Sequence, residues 1–135
     1  MVPSSDSPQS LPFSSTSSCI LIVEDEFLIR CMLSDELRDA GYRVIEACDA
    51  TEALSVLKTV SPDMIISDVR MPGPLDGLGL LARVRETSLT LPVIIISGHL
   101  HPSQALIEGA TRFIAKPYLL SAIVDATREA LMNKL

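Results

Sequence analysis

Aromatic residues are scarce in this chain: there is no tryptophan, and there are only two tyrosines and three phenylalanines. Hydrophobic residues still make up 47% of it. The core must therefore be aliphatic, built from Leu, Ile, Val and Ala. Long apolar runs are also missing, and none approaches the roughly 18 residues that suggest a membrane span. Clusters of Lys and Arg are absent, the net charge is −6 and the pI is about 4.8. That balance argues against a nucleic-acid surface, which needs concentrated positive charge. The N-terminus lacks the basic residues and continuous apolar segment of a secretory signal. The expected location is cytoplasmic, with no membrane contact.

Cysteine is represented by Cys19, Cys31 and Cys48, an odd set without metal-ligand spacing. Cys19 begins one predicted strand and Cys48 ends another. If those strands run parallel, the two sulfurs lie at opposite ends of a sheet, roughly 13 Å apart at about 3.3 Å per residue. No disulfide reaches that far. All three are expected to be reduced and to act as small hydrophobes.

The 135 residues suffice for one domain with a real core and are too few for two. Residues 1–18 are rich in Ser and Pro, with almost nothing to bury, and are expected to form a disordered tail. The domain proper is placed at residues 19–134.

Within it, Ile20-Leu21-Ile22-Val23 is a continuous apolar run of strand length, as in a parallel sheet buried on both faces. It ends in Glu24-Asp25-Glu26. Ile29, Met32, Leu33, Leu37 and Ala40 then share one helical face, with Gly41 at a C-cap position. Arg43–Ala47 is a second, less buried strand. Asp49 and Glu52 form a capping box for a helix carrying Ala53, Leu57 and Val60, which Ser61-Pro62 stops. Met64–Asp68 is the third strand. A Pro/Gly loop follows, then a helix from Asp76-Gly77 with Leu78, Leu81 and Val84. Val93–Ser97 is the strongest strand signal, followed by a loop and a short helix around Ser103–Glu108. Arg112–Ala115 is the fifth strand, ending at Lys116-Pro117. A last helix runs from about Leu119 to Asn133, with Leu120, Ile123, Val124 and Leu131 on one face.

Five strands alternating with five helices predict an α/β fold, a doubly wound parallel sheet with right-handed crossovers. Ligands in such sheets bind at the carboxyl ends of the strands, at the topological switch point. Those ends carry the polar chemistry here: Glu24 and Asp25, Asp68, Ser97 and Lys116. Asp68 is expected at the sheet edge, facing solvent. Three carboxylates at neighbouring strand ends repel one another, and a divalent cation relieves the repulsion. All-oxygen ligands favour Mg²⁺. A carboxylate beside Mg²⁺ can act as a nucleophile toward phosphorus, with Lys116 and the Ser97 hydroxyl receiving phosphoryl oxygens. Singly, each residue has an ordinary reading as a cap, a turn residue or a solvated strand end. The set, in this order at four strand ends, is specific.

At these residues the chain resembles the receiver domain of bacterial two-component response regulators. The resemblance covers roughly residues 19–134. It rests on Ile20–Glu26, on Ile66-Ser67-Asp68-Val69-Arg70-Met71-Pro72 with Asp76-Gly77, on Pro92–Gly98, and on Phe113-Ile114-Ala115-Lys116-Pro117. It implies a flavodoxin-like (βα)5 sheet of strand order 2-1-3-4-5. It also implies Asp68 as phosphoacceptor, Glu24 and Asp25 as the Mg²⁺-binding acidic pair, and the Arg70 backbone carbonyl as a further ligand. Ser97 matches the hydroxyl position, Lys116 the lysine and Phe113 the aromatic switch, and the Lys116–Pro117 peptide would be cis. Arg70 and His99 match positions that tune phosphoryl lifetime. The phosphodonor would be a sensor histidine kinase or a histidine phosphotransfer protein. The output would pass to an unknown downstream protein, from a monomer or weak homodimer. The chain would not be an enzyme beyond self-phosphotransfer and autodephosphorylation.

Two segments depart from the family's usual form. The loop after Asp68 has one extra residue among Gly73-Pro74-Leu75, and the stretch from Ser97 to Gly109 is about three residues short. The fourth helix, on the output face, must be stunted. The residues after Pro117 suffice for one last helix, so a stand-alone receiver is expected, the alternative being a piece of a hybrid histidine kinase. A receiver-fold binding module that never uses phosphate is a further alternative.

Some motifs are decoys. Gly77-Leu78-Gly79-Leu80-Leu81-Ala82 fits a dinucleotide fingerprint but does not follow a strand directly, and no ribose-binding acid ends the next strand. His99 and His101 have no third ligand nearby. Leu28 and Cys31 fall off the buried face of the first helix, where the family docks its phosphodonor.

Overall fold

The structure is a computed structural model that describes residues 17–133. The tail expected at residues 1–18 lies outside the described residues except for Ser17 and Ser18. The strands are β1 (Cys19–Val23), β2 (Arg43–Ala47), β3 (Met64–Asp68), β4 (Val93–Ser97) and β5 (Arg112–Ala115). The helices are α1 (Phe27–Asp39), α2 (Ala50–Leu57), α3 (Gly77–Thr87), α4 (Pro102–Ile107) and α5 (Leu120–Met132). All strand pairs are parallel, in the order β2-β1-β3-β4-β5. The chain winds one way from β1 to β2 and the other way from β3 onward. The switch point therefore lies between β1 and β3. In their ladder Val23 pairs with Ser67, so the next residue on each strand is Glu24 or Asp68.

β1, β3 and β4 are buried along their whole length, whereas the edge strands β2 and β5 are partly exposed. Successive side chains alternate between the faces of the sheet. Leu21, Val23, Ile65 and Ile95 pack against α2, α3 and α4 through Ala53, Leu80, Leu81 and Ala105. Ile20, Ile22, Ile66 and Ile94 pack against α1 and α5 through Leu33, Leu37, Ile123 and Val124. Full burial on both faces explains why the central strands are continuous apolar runs. Among the described residues, no helix is long and apolar enough to cross a membrane.

Several helix faces differ from the pattern expected. On α1 the buried residues are Leu33, Ser34 and Leu37, while Met32 is 55% exposed and Ala40 is exposed. Ile29 and Met32 line a cavity at the carboxyl edge of the sheet. α2 stops at Leu57, three residues before Val60, and its last turn tightens through Lys58 N–H to Ser55 O (3.2 Å) and Thr59 N–H to Val56 O (3.1 Å). In α3, Leu80 is fully buried and Leu78 only partly so. The Glu52 carboxylate does cap, but it accepts from Cys48 N–H (2.6 Å), one residue ahead of the N-cap Asp49. Cys19 is buried and all three cysteines are free, yet Cys48 is exposed and buries nothing.

α4 is short, six residues, as the shortened segment after Ser97 requires. His101 is its N-cap, with Nδ1 accepting from Ser103 N–H at 3.2 Å, and Pro102 opens the helix. Pro is tolerated there because its missing N–H would have no helical partner.

Candidate active site at the carboxyl edge of the sheet

Asp68 is the last residue of β3 and, contrary to expectation, does not face solvent: it is 6% exposed. β3 is a central strand, and residues from the neighbouring strand ends close over it. Asp68 Oδ1 accepts from Val69 N–H at 2.7 Å, and Oδ2 accepts from Lys116 Nζ at 2.8 Å. Lys116 follows β5, where its N–H bonds to the Ser97 carbonyl at 3.0 Å, so the ladder delivers the ammonium to the acid. Burial of Lys116 works against its charge. The hydrogen bond and charge of Asp68, with the charge of Glu24, outweigh it and raise the ammonium pKa. The Lys116–Pro117 peptide is cis.

Glu24 extends β1 by one residue, donating its N–H to Ala47 O at 3.0 Å. Its Oε2 accepts from Glu26 N–H at 3.0 Å, and the residue is 3% exposed. Loss of solvent is the main cause that pushes its pKa from 4.5 up to about 7. The Glu26 N–H opposes the rise, while the Asp68 charge and a hydrogen bond with Asp25 add to it. Asp25 is exposed. Glu24, Asp25 and Asp68 each offer an oxygen within 4.8 Å of the others. This crowding of acid oxygens, two of the three residues buried, fits a hard divalent cation with oxygen ligands, Mg²⁺ above all. Glu24, Asp25 and Asp68 are the side chains that would hold it.

A cavity of about 610 Å³ opens beside Asp68 and takes in Arg70, Ser97, His99 and Lys116 along its lining. Arg70 and His99 are exposed at its rim. Ser97 is buried, and its Oγ accepts the N–H groups of His99 and Leu100, both at 3.1 Å. In this arrangement the hydroxyl oxygen organises the loop leading to α4, leaving its proton available to donate. Phe113 pairs with Ile95 across the β4–β5 ladder and packs, partly buried, on the α4 side of the sheet. By strand alternation the Ser97 side chain lies on that same side. His101 is committed to its cap, and among the described residues the acid trio is the one cluster that could hold a metal.

Two residues at the site, Tyr118 and Arg30, were not singled out from sequence, and Gly77 was marked there only as a helix start and a decoy. Tyr118 lines the cavity, half-buried, and its phenol pKa is raised by burial first and by the charge of Glu24 second. Its sequence signal is an aromatic residue directly after Lys-Pro. Gly77 donates its N–H to Val69 O at 2.8 Å, and a Cβ there would overlap the Asp68 carbonyl oxygen. The glycine of the false dinucleotide fingerprint thus lets α3 begin against the Asp68 peptide. Asp76 Oδ1 caps the same helix through Gly79 N–H at 2.8 Å. Arg30 donates Nη1 to the Glu24 carbonyl at 2.8 Å. Nothing in the hydrophobic pattern marked it.

The family model of the response regulator receiver domain matches residues 20–128. The chain belongs to this family. Among similar curated proteins, the C4-dicarboxylate transport transcriptional regulatory protein DctD of Rhizobium meliloti is 34% identical over 119 residues, covering 86% of this chain and 26% of that protein. The sensor histidine kinase RcsC of Salmonella typhi is 36% identical over 107 residues, covering 77% of this chain and 11% of that protein. The receiver domain of NtrX from Brucella abortus superposes with a TM-score of 0.79 at 34% identity, covering 84% of this chain and 98% of that one. The receiver fold expected from sequence, with strand order 2-1-3-4-5, is therefore the fold of this domain. The receiver spans only 26% of the DctD chain and 11% of the RcsC chain it matches. One of those relatives is named a transcriptional regulator, so the expectation of no nucleic-acid partner rests on the charge of these 135 residues alone.

Proposed function

We propose that this receiver is a phosphoacceptor switch. In it, Asp68 takes a phosphoryl group from the phosphohistidine of a histidine kinase or phosphotransfer protein, with Mg²⁺ held in the acidic pocket. The observation that carries the reading is the 2.8 Å pair between Lys116 Nζ and Asp68 Oδ2 beside the Glu24–Asp25–Asp68 oxygens. It joins a nucleophilic carboxylate, a cation for phosphoryl oxygens and a divalent-metal pocket at one strand end.

When bound, Mg²⁺ supplies neutralisation of charge on the carboxylates and on the transferring phosphoryl oxygens. Glu24, Asp25 and Asp68 would hold it, with the Arg70 backbone carbonyl as a further ligand. An Asp68 oxygen attacks phosphorus as the bond to the donor imidazole breaks, leaving an acyl phosphate on Asp68. Lys116 pairs with one phosphoryl oxygen, and the Ser97 hydroxyl donates to another.

That donation draws Ser97 away from the His99 and Leu100 N–H groups it now holds. The loop into α4 loosens and Phe113 moves into the space behind Ser97. The face of α4, β5 and α5 then shifts between two populations. It carries the exposed Leu106 and Ile107 and the 2.6 Å Arg112–Glu129 ion pair, all available to a protein that reads the state. The chain turns over its own phosphoryl group and no diffusible substrate, and it works in the cytoplasm alongside its donor.

A thermal melt with Mg²⁺ and beryllofluoride, a phosphoryl mimic, tests the reading. A rise in Tm in the wild type that vanishes in Asp68→Asn is expected. No rise in either protein would make the domain a passive binding module.

A further inference from the structure

Arg30 lies near the start of α1 and ties three elements together. Its Nη1 donates to the Glu24 carbonyl at 2.8 Å, and its Nε donates to Glu46 Oε1 on β2 at 3.2 Å. Its side chain is 15% exposed, and the guanidinium stands over the Phe27 ring, 5.5 Å from the centroid. Glu46 is itself held from its other side by Arg38 Nη2 at 3.3 Å. The arginine is thus an anchored fork rather than a loose surface charge.

Its target lies where the backbone leaves the sheet. Glu24 is the last residue whose N–H still joins the sheet, and its carbonyl has left the ladder. Glu24-Asp25-Glu26 places three acids in succession there. Like charges spread such a segment when nothing holds the backbone. The guanidinium holds the peptide that links Glu24 to Asp25, and the orientation of that peptide sets where both carboxylates point.

We infer that Arg30 is a positioning residue for the cation pocket. It holds the Glu24–Asp25 peptide so that both carboxylates converge on Asp68, while it belongs neither to the acid trio nor to the cavity lining. This rests on the proposed reading of the pocket as a Mg²⁺ site. Two roles are separable by sign. If Arg30 acts only as a positive charge, removing it leaves more negative potential and tightens cation binding. If it acts as a fork on a carbonyl, removing it weakens binding, and lysine does not replace it because the planar two-point geometry is lost.

The experiment is Mg²⁺ titration of the full chain by isothermal calorimetry at neutral pH. Wild type, Arg30→Lys, Arg30→Met, Glu46→Ala and Asp25→Asn are compared, each at a temperature where circular dichroism shows it folded. Wild type binds and Asp25→Asn is strongly impaired. Arg30→Met and Arg30→Lys each bind about tenfold more weakly, the scale at which groups orienting a metal's ligands act. Glu46→Ala falls between them and wild type. At saturating Mg²⁺ the beryllofluoride-induced rise in Tm of Arg30→Lys returns to the wild-type value. Wild-type affinity in both Arg30 variants, or tighter binding in Arg30→Met, overturns the inference and leaves the Mg²⁺ reading standing. A wild type that binds no Mg²⁺ overturns both. Should Arg30→Met not fold, Arg30→Lys and Glu46→Ala decide the matter.

Discussion

The α-carbon of Gly77 is packed against the carbonyl of Asp68 so closely that no side chain fits between them. α3 therefore starts directly against the peptide of the candidate nucleophile, with the Gly77 N–H bonded to Val69 O at 2.8 Å. Gly77→Ala forces backbone against backbone and is expected to destabilise the domain by about 1–3 kcal/mol, the usual cost of overpacking. It also displaces Asp68, so the beryllofluoride response weakens further than the lost stability explains. Gly79→Ala is the control: there a Cβ meets the Leu75 side chain, which can move. The helix gains from alanine, so a change within about 1 kcal/mol is expected. Denaturant unfolding of the two variants checks the contrast, and equal losses would count against it.

Glu24 makes metal-free stability depend on pH. Its folded pKa of about 7 lies above the ordinary 4.5, so between those values the folded state holds more of its proton than the unfolded chain does. Its contribution is fully present below about pH 4.5 and is lost as pH rises through 7. Melts in chelator are expected to show stability falling from pH 5 to pH 8, by on the order of 1–3 kcal/mol from this group. Glu24→Gln flattens that fall. A Glu24→Gln profile parallel to wild type would remove Glu24 as its source.

Arg85 secures the opposite edge of the sheet. Its guanidinium donates to Gly109 O at 2.9 Å, Ser88 O at 3.1 Å and Leu91 O at 2.8 Å, joining the turn before β5 to the turn before β4. Arg85→Ala leaves those carbonyls without this donor, and a loss of about 1–3 kcal/mol is expected. Arg85→Lys recovers little, since one ammonium cannot span the three. The readout is the urea midpoint at unchanged m-value. Full rescue by lysine would show that charge alone matters.

Arg70 and His99 line the cavity at its exposed rim, where they can shield a phosphoryl group on Asp68 from water. Slow autodephosphorylation is expected, accelerated severalfold in the Arg70→Ala, His99→Ala double variant. The assay follows release of inorganic phosphate after donor removal. Loss of the phosphoryl group within seconds in the wild type would end this account.

The residues of the candidate site were legible in sequence because they sit at strand ends, and strand ends are legible. Apolar runs such as Val93–Ser97 owe their form to burial on both faces, so they mark strands wherever they fall. Asp68, Ser97 and Lys116 follow from where those runs stop. Helix faces were less legible. Met32, expected on the buried face of α1, is exposed, and Ser34 is buried, because periodicity describes a helix alone, whereas burial depends on which side of it meets the sheet and the neighbouring helix.

By itself, then, the sequence determined the order of strands and helices, the family, and the residue types brought to one edge of the sheet. Only the tertiary structure decided that Asp68 is buried against Lys116 rather than open to solvent. It alone placed Gly77 against the Asp68 carbonyl and carried Arg30 from α1 to the Glu24 carbonyl and to Glu46 on β2. Those contacts join elements whose relative placement comes from sheet register and helix packing. A local pattern encodes how a segment meets the core, and it carries no record of which distant backbone atom a side chain will reach.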